Sequence, residues 1–64
     1  MDKIEPMDWE EIIMNVENPV WDNINKRWRI IQGYQKDWRQ YFIKFTDADI
    51  WWQLDSVELY LKKL

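Results

Sequence analysis

Apolar positions in the first part of the chain recur at helical spacing. Trp9, Ile12, Ile13 and Val16 fall at i, i+3, i+4 and i+7 and make one stripe. Asp8 stands where an N-cap belongs. Glu11, three residues on, can return the bond, and Met7 and Ile12 are placed for a hydrophobic staple. Asn18–Pro19 closes the segment, because a proline disfavours helical backbone in the residue before it. The pattern predicts a helix over residues 8–17. After Pro19 the period changes to two. Val20–Trp21 is a short extended stretch and residues 23–26 are turn-rich. Residues 27–34 read as a strand with Trp28, Ile30, Gln32 and Tyr34 on one face. Gln35-Lys36-Asp37 is the expected hairpin loop. Residues 38–45 form a second strand, with Tyr41, Ile43 and Phe45 opposite Gln40, Phe42 and Lys44. Residues 46–49 turn the chain into a third strand at 50–53.

The C-terminal segment carries two patterns. Asp55-Ser56-Val57-Glu58 repeats the cap arrangement, Val57, Tyr60, Leu61 and Leu64 sit at helical spacing, and Lys62 and Lys63 suit a helix C-terminus. Val57, Leu59 and Leu61 also alternate. Residues 55–63 are therefore either a short helix or a helical turn followed by a closing strand. The expected fold class is α+β. An N-terminal amphipathic helix packs on a three- to five-stranded antiparallel meander, in one domain covering residues 1–64. The expected core is Trp9, Ile12, Ile13, Val16, Trp28, Ile30, Phe42 or its neighbours, Leu54, Val57 and Leu61.

Pro19-Val20-Trp21, Trp28-Arg29-Ile30-Ile31, the run Tyr41 to Asp47, and Leu54–Leu61 together give a strand rhythm. It resembles that of small SH3-like or Tudor-like barrels: a short first strand, a long hairpin, a third strand ending in F-x-D, then a helical turn before a closing strand. The resemblance implies a small closed barrel to which the N-terminal helix is an addition. It carries over no partner-binding residue.

Composition explains how so short a chain can fold. With 64 residues and neither Cys nor His, disulfides and zinc sites are excluded as staples. Aromatic mass remains: six Trp, three Tyr and two Phe. Each buried Trp removes roughly 150–250 Å² from water, worth roughly 4–6 kcal/mol as an upper bound. The apolar runs, such as Ile12–Met14 and Tyr41–Ile43, fall far short of the ~18 residues of a membrane span. The N-terminus lacks a signal-peptide layout. A soluble, cytoplasmic protein is expected, with no membrane association.

The net charge of −3 is segregated. Residues 1–22 hold Asp2, Glu5, Asp8, Glu10, Glu11, Glu17 and Asp22 against Lys3. Residues 23–45 hold Lys26, Arg27, Arg29, Lys36, Arg39 and Lys44 against Asp37. Either the two blocks neutralise each other within the fold, or they make a bipolar surface that steers a charged partner.

Little in the chain supports catalysis. Nucleophilic triads need a base such as His, and Ser56 and Thr46 sit where cap and turn residues belong. Gly33 stands alone inside a strand, which fits a bulge or close packing and not a phosphate loop. Asp47-Ala48-Asp49 lacks the further oxygen ligand a calcium loop needs, since Trp51 occupies that position. The chain is expected to be no enzyme and to need no cofactor or metal.

The surplus of aromatics points to binding. Trp51 and Trp52 are adjacent on a strand and must face opposite ways. Trp38 opens a strand among charges. One helix on one sheet does not readily enclose six indoles, so Trp38 and one of the Trp51–Trp52 pair are expected at the surface. There they either form a second small core under a loop or a partner-binding patch, with Lys36 and Arg39 as its rim. Glu10 and Glu11 on the acidic helix are the alternative contact. The favoured function is a small protein-binding protein, with homodimerisation one form of such an interaction. The Ile-, Asn-, Lys- and Asp-rich composition adds the expectation of a phage or mobile-element inhibitor that occludes a host defence or nucleic-acid-handling protein. The alternatives are a nucleic-acid-binding barrel, which the net negative charge disfavours, and aromatic recognition of a cationic peptide group.

Overall fold

The computed structural model describes residues 5–64; Asp2 and Lys3, counted in the acidic block above, lie outside the described residues. Five strands follow one short helix: α1 (Trp9–Met14), β1 (Pro19–Asp22), β2 (Arg27–Asp37), β3 (Gln40–Phe45), β4 (Trp51–Gln53), a 3-10 turn (Leu54–Ser56) and β5 (Leu59–Tyr60). The strand order is β4-β3-β2-β1-β5, and every neighbouring pair is antiparallel.

The architecture is mostly sheet, which corrects the expectation of a helix packed on a sheet. The helix begins as its sequence predicts: the Asp8 carboxylate accepts from the Glu11 N–H at 2.9 Å, and the Glu11 carboxylate accepts from the Asp8 N–H at 3.4 Å. It then stops after six residues. Asn15 donates from its side chain back to the Glu11 carbonyl at 2.8 Å. Glu17 turns with a φ of 73° and sends its N–H to the Ile31 carbonyl at 2.9 Å, committing the chain to the sheet. The apolar stripe that read as ten residues of helix is cut before it can cover a sheet face. Ile12 is wholly buried, Trp9 and Val16 are partly buried, and Ile13 and Met14 face outward.

The core consists of Met7, Ile12, Val20, Ile31, Ile43, Phe45 and Leu59, so one helical residue joins six from outside the helix. Trp52, Leu54 and Val57 pack around it. Four residues expected in the core, Ile13, Trp28, Ile30 and Leu61, are exposed. For β2 the reason is phase. Arg29 and Ile31 point inward, so Trp28 and Ile30 point outward. The register then slips between Ile31 and Gly33, which pair with the consecutive residues Phe45 and Lys44. This bulge returns Tyr34 to the inner side. A Cβ on Gly33 would meet nothing within 4 Å, so the glycine marks the bulge and not a close approach.

An arginine can point inward because carboxylates meet it. Arg29 donates to Asp22 at 3.0 Å and to Asp47 at 2.8 Å, while its guanidinium lies 3.8 Å from the centre of the Phe45 ring. Asp22 also accepts from the backbone of Ile24 and Asn25 and from the Asn25 side chain, which fixes the 23–26 turn. On the outer face of β1, Trp21 packs edge-on to Trp28 with ring centres 5.6 Å apart, and Tyr60 pairs beside it. No helix among the described residues is long and apolar enough to cross a membrane.

The strand limits also move. Residues 35–37, read as a loop, belong to β2, and the chain reverses at Trp38 and Arg39 instead. The third expected strand begins at Trp51, not Ile50.

Candidate functional site

The β2–β3 hairpin outruns the rest of the sheet. β1 pairs with β2 over residues 27–30, and β4 pairs with β3 over residues 42–44. Beyond β1 the hairpin continues through residues 34–37, and its last two pairs, Lys36 with Tyr41 and Asp37 with Gln40, form a two-stranded ribbon that β4 does not reach either. Its inner side is propped by Trp9, whose ring centre lies 5.4 Å from Tyr34 and 4.5 Å from Tyr41. Lys36 sits on this side too, with Nζ 5.4 Å above the Tyr41 ring.

Asp37 and Gln40 are the last pair, which leaves Trp38 and Arg39 as a two-residue loop. Trp38 has a φ of 58° and Arg39 has no positive φ. A two-residue hairpin with positive φ at its first central position alone follows the φ pattern of a type II′ turn, and that position favours glycine. A bulky residue with positive φ is an outlier that costs on the order of 1 kcal/mol or more. The Trp38 side chain recovers none of this by packing: it is 89% exposed.

The cross-strand register sorts the remaining candidates by face. Ile43 pairs with Trp52, and Lys44 pairs with Trp51. Trp52 thus turns inward against the core, and its indole N–H is buried without an acceptor. Trp51 turns outward and is 47% exposed. It lies with Gln35, Asp37 and Phe42 around a groove of about 220 Å³ on the outer face of the ribbon.

The structure therefore divides the expected patch. Trp38 and Arg39 share the tip, and Trp51 lies on the outer face, paired with Lys44 toward the other end of β3 and sharing a groove with Asp37. Lys36 is on the inner face, and Trp52 is part of the packing. Glu10 and Glu11 lie in the first turn of α1, on the inner side to which Trp9 is bound, and Glu11 is committed to the capping box. They do not join Trp51. Phe42 and Asp37 were not among the expected contact residues. Strand alternation placed Phe42 opposite Ile43, which is a signal that it faces away from the core.

Among the described residues, three of the six cations of the basic middle block are ion-paired within the fold. Arg27 and Arg29 pair with Asp47, Arg29 also with Asp22, and Lys44 with Asp49 at 2.7 Å. The Lys44 partner draws the Asp49 carboxyl below its ordinary range. The Arg29 hydrogen bond does the same for Asp47. Burial pushes Asp22 the other way, but hydrogen bonds from Asn25, Arg29 and Ile24 outweigh it and hold that carboxyl low as well. No group of three or more potential metal ligands occurs among the described residues. Compared with family models, curated proteins and solved structures, the chain matches none, so neither the SH3-like nor the Tudor-like resemblance gains a relative from them.

Proposed function

We propose that this chain is a non-catalytic protein-binding module whose contact surface is centred on the tip of the β2–β3 hairpin. One observation carries the reading. Trp38 occupies a turn position that favours glycine, while its indole is almost wholly in solvent. The fold gains no packing from that ring and bears its backbone cost. Strain without structural return is the mark of a position kept for another purpose. Exposed tryptophans beside arginine have the composition of interface hot spots, and Arg39 is the next residue.

Nucleic-acid binding is the weaker reading. Of the cations that would bind phosphate, Arg27, Arg29 and Lys44 are held by aspartates, which leaves Lys36 and Arg39 on the ribbon without an ion pair among the described residues. No residue of the tip selects a phage-encoded inhibitor over another kind of binding module.

The test is affinity capture with the wild-type chain, a Trp38→Ala variant and a control at another exposed apolar position, Met14→Ala, with the melting temperature of each checked. A partner held by the wild type and the control but lost from Trp38→Ala supports the reading. A partner held equally by all three removes the tip from the interface.

A further inference from the structure

Beside the tip, the outer face of the ribbon has a groove with mixed walls. Trp51 and Phe42 supply aromatic surface, Gln35 an amide, and Asp37 a carboxylate. Two acids occur within the strands, and they differ. Asp22 is buried and bonded to Arg29, Asn25 and Ile24. Asp37 is exposed and has no ion pair among the described residues. In the connections between strands, Asp47 and Asp49 are engaged by Arg29 and Lys44, and Glu58 accepts from Tyr60 at 2.6 Å.

We propose that this groove receives an extended cationic side chain, lysine or arginine, of the partner bound at the tip. The inference rests on the protein-binding reading above and adds the chemistry of what is bound. An occupant must cover two aromatic surfaces along its length and end in a positive charge at Asp37. An aliphatic stem with a cationic head does both, because such side chains lay their methylenes on apolar surface and keep the charge at a polar rim. The face of an indole adds attraction for the cation itself. Lys44 already shows this preference from within the chain, with Nζ 5.9 Å from the centre of the Trp51 ring. Its ammonium is held by Asp49 and so does not serve Asp37. A carboxylate-bearing side chain would be repelled by Asp37, and a purely apolar one would leave the carboxylate unanswered.

The groove can be tested without the partner. Three short blocked peptides, acetyl-Gly-Lys-Gly-amide, acetyl-Gly-Arg-Gly-amide and the isosteric norleucine peptide, are titrated into the isotopically labelled full chain. The indole N–H of Trp51 and the backbone amides of Asp37 and Phe42 are followed. The lysine or arginine peptide should shift these three resonances together and the norleucine peptide should not. Asp37→Asn should weaken the response about threefold or more, the scale of one exposed ion pair. The lysine and arginine arms show which head group is preferred. Equal responses to norleucine and the cations, an unchanged response in Asp37→Asn, or no shift at Trp51 would each overturn the proposal. That failure is distinct from failure of the tip: Trp38→Ala can still release a captured partner when the groove proves inert, and the groove can still respond when Trp38 proves dispensable.

Discussion

Arg29 donates to Asp22 across 3.0 Å, with the two side chains 3% and 2% exposed. A buried pair of this kind is weak support for net stability, since both charges have left water. Breaking it is costly, because one charge is then stranded. Arg29→Leu should therefore destabilise the domain by about 3–5 kcal/mol, enough to unfold most of so small a chain. Chemical denaturation measures it. A loss under about 1 kcal/mol would mean that the network can be replaced by apolar packing.

Acid should act through the same residues. The Asp22 and Asp47 carboxyls both lie below their ordinary value of 3.8 in the folded chain. Groups lowered on folding contribute fully above their unfolded value and lose that contribution as pH falls through the folded one. The melting temperature should thus hold near neutrality and fall from about pH 5 downward. Asp47→Asn should start lower at neutral pH and fall less steeply. Parallel curves for the two proteins would remove Asp47 from the acid response.

The short helix makes a divided prediction. Ile12 is wholly buried and Ile13 is 37% exposed, although both lie on the stripe read from the sequence. Ile12→Asp should unfold the domain by placing an unpaired charge in the core. Ile13→Ala should cost within about 1 kcal/mol. Thermal melts of the two variants decide it, and equal losses would restore the longer helix.

Helix α1 shows what was legible in the chain and what was not. Asp8, Glu11 and Met7 gave its start, because a cap is a local event between residues three or four apart. Its end lay in the Glu17 N–H bonding to Ile31, a contact with a strand that no local pattern announces. The strands were legible as alternation, but the face of β2 was not. A charged residue at an inner position, Arg29, inverts the apparent pattern unless Asp22 and Asp47 are known to meet it. The bulge after Ile31 then changes the phase again. For the site, Trp38 and one member of the Trp51–Trp52 pair were reachable by counting indoles against available core, but which member faces out is set by the register of β4 on β3. The turn that strains Trp38 was not, since Gln35-Lys36-Asp37 offered the more turn-like composition.

Nucleic acid gives a further prediction. Arg27, Arg29 and Lys44 are paired with aspartates, so three of the six cations of the basic middle block are already engaged, in a chain whose net charge is −3. Fluorescence anisotropy at ~150 mM salt should show no affinity for DNA or RNA better than about micromolar. A nanomolar dissociation constant would put the ribbon on a nucleic acid and not on a protein.

Trp38→Gly decides whether the Trp38 ring serves a partner at the expense of the fold. Glycine removes the positive-φ strain at the turn, and the exposed ring offers no packing to lose. The variant's stability should be unchanged or up to about 1 kcal/mol higher. Its affinity for the captured partner should fall by about 2 kcal/mol or more, near thirtyfold, as for a hot-spot residue. Both quantities come from one preparation, by thermal melt and by titration. A stable variant with weakened binding is the predicted result. A variant that unfolds, or one that folds and binds as the wild type does, would contradict the account.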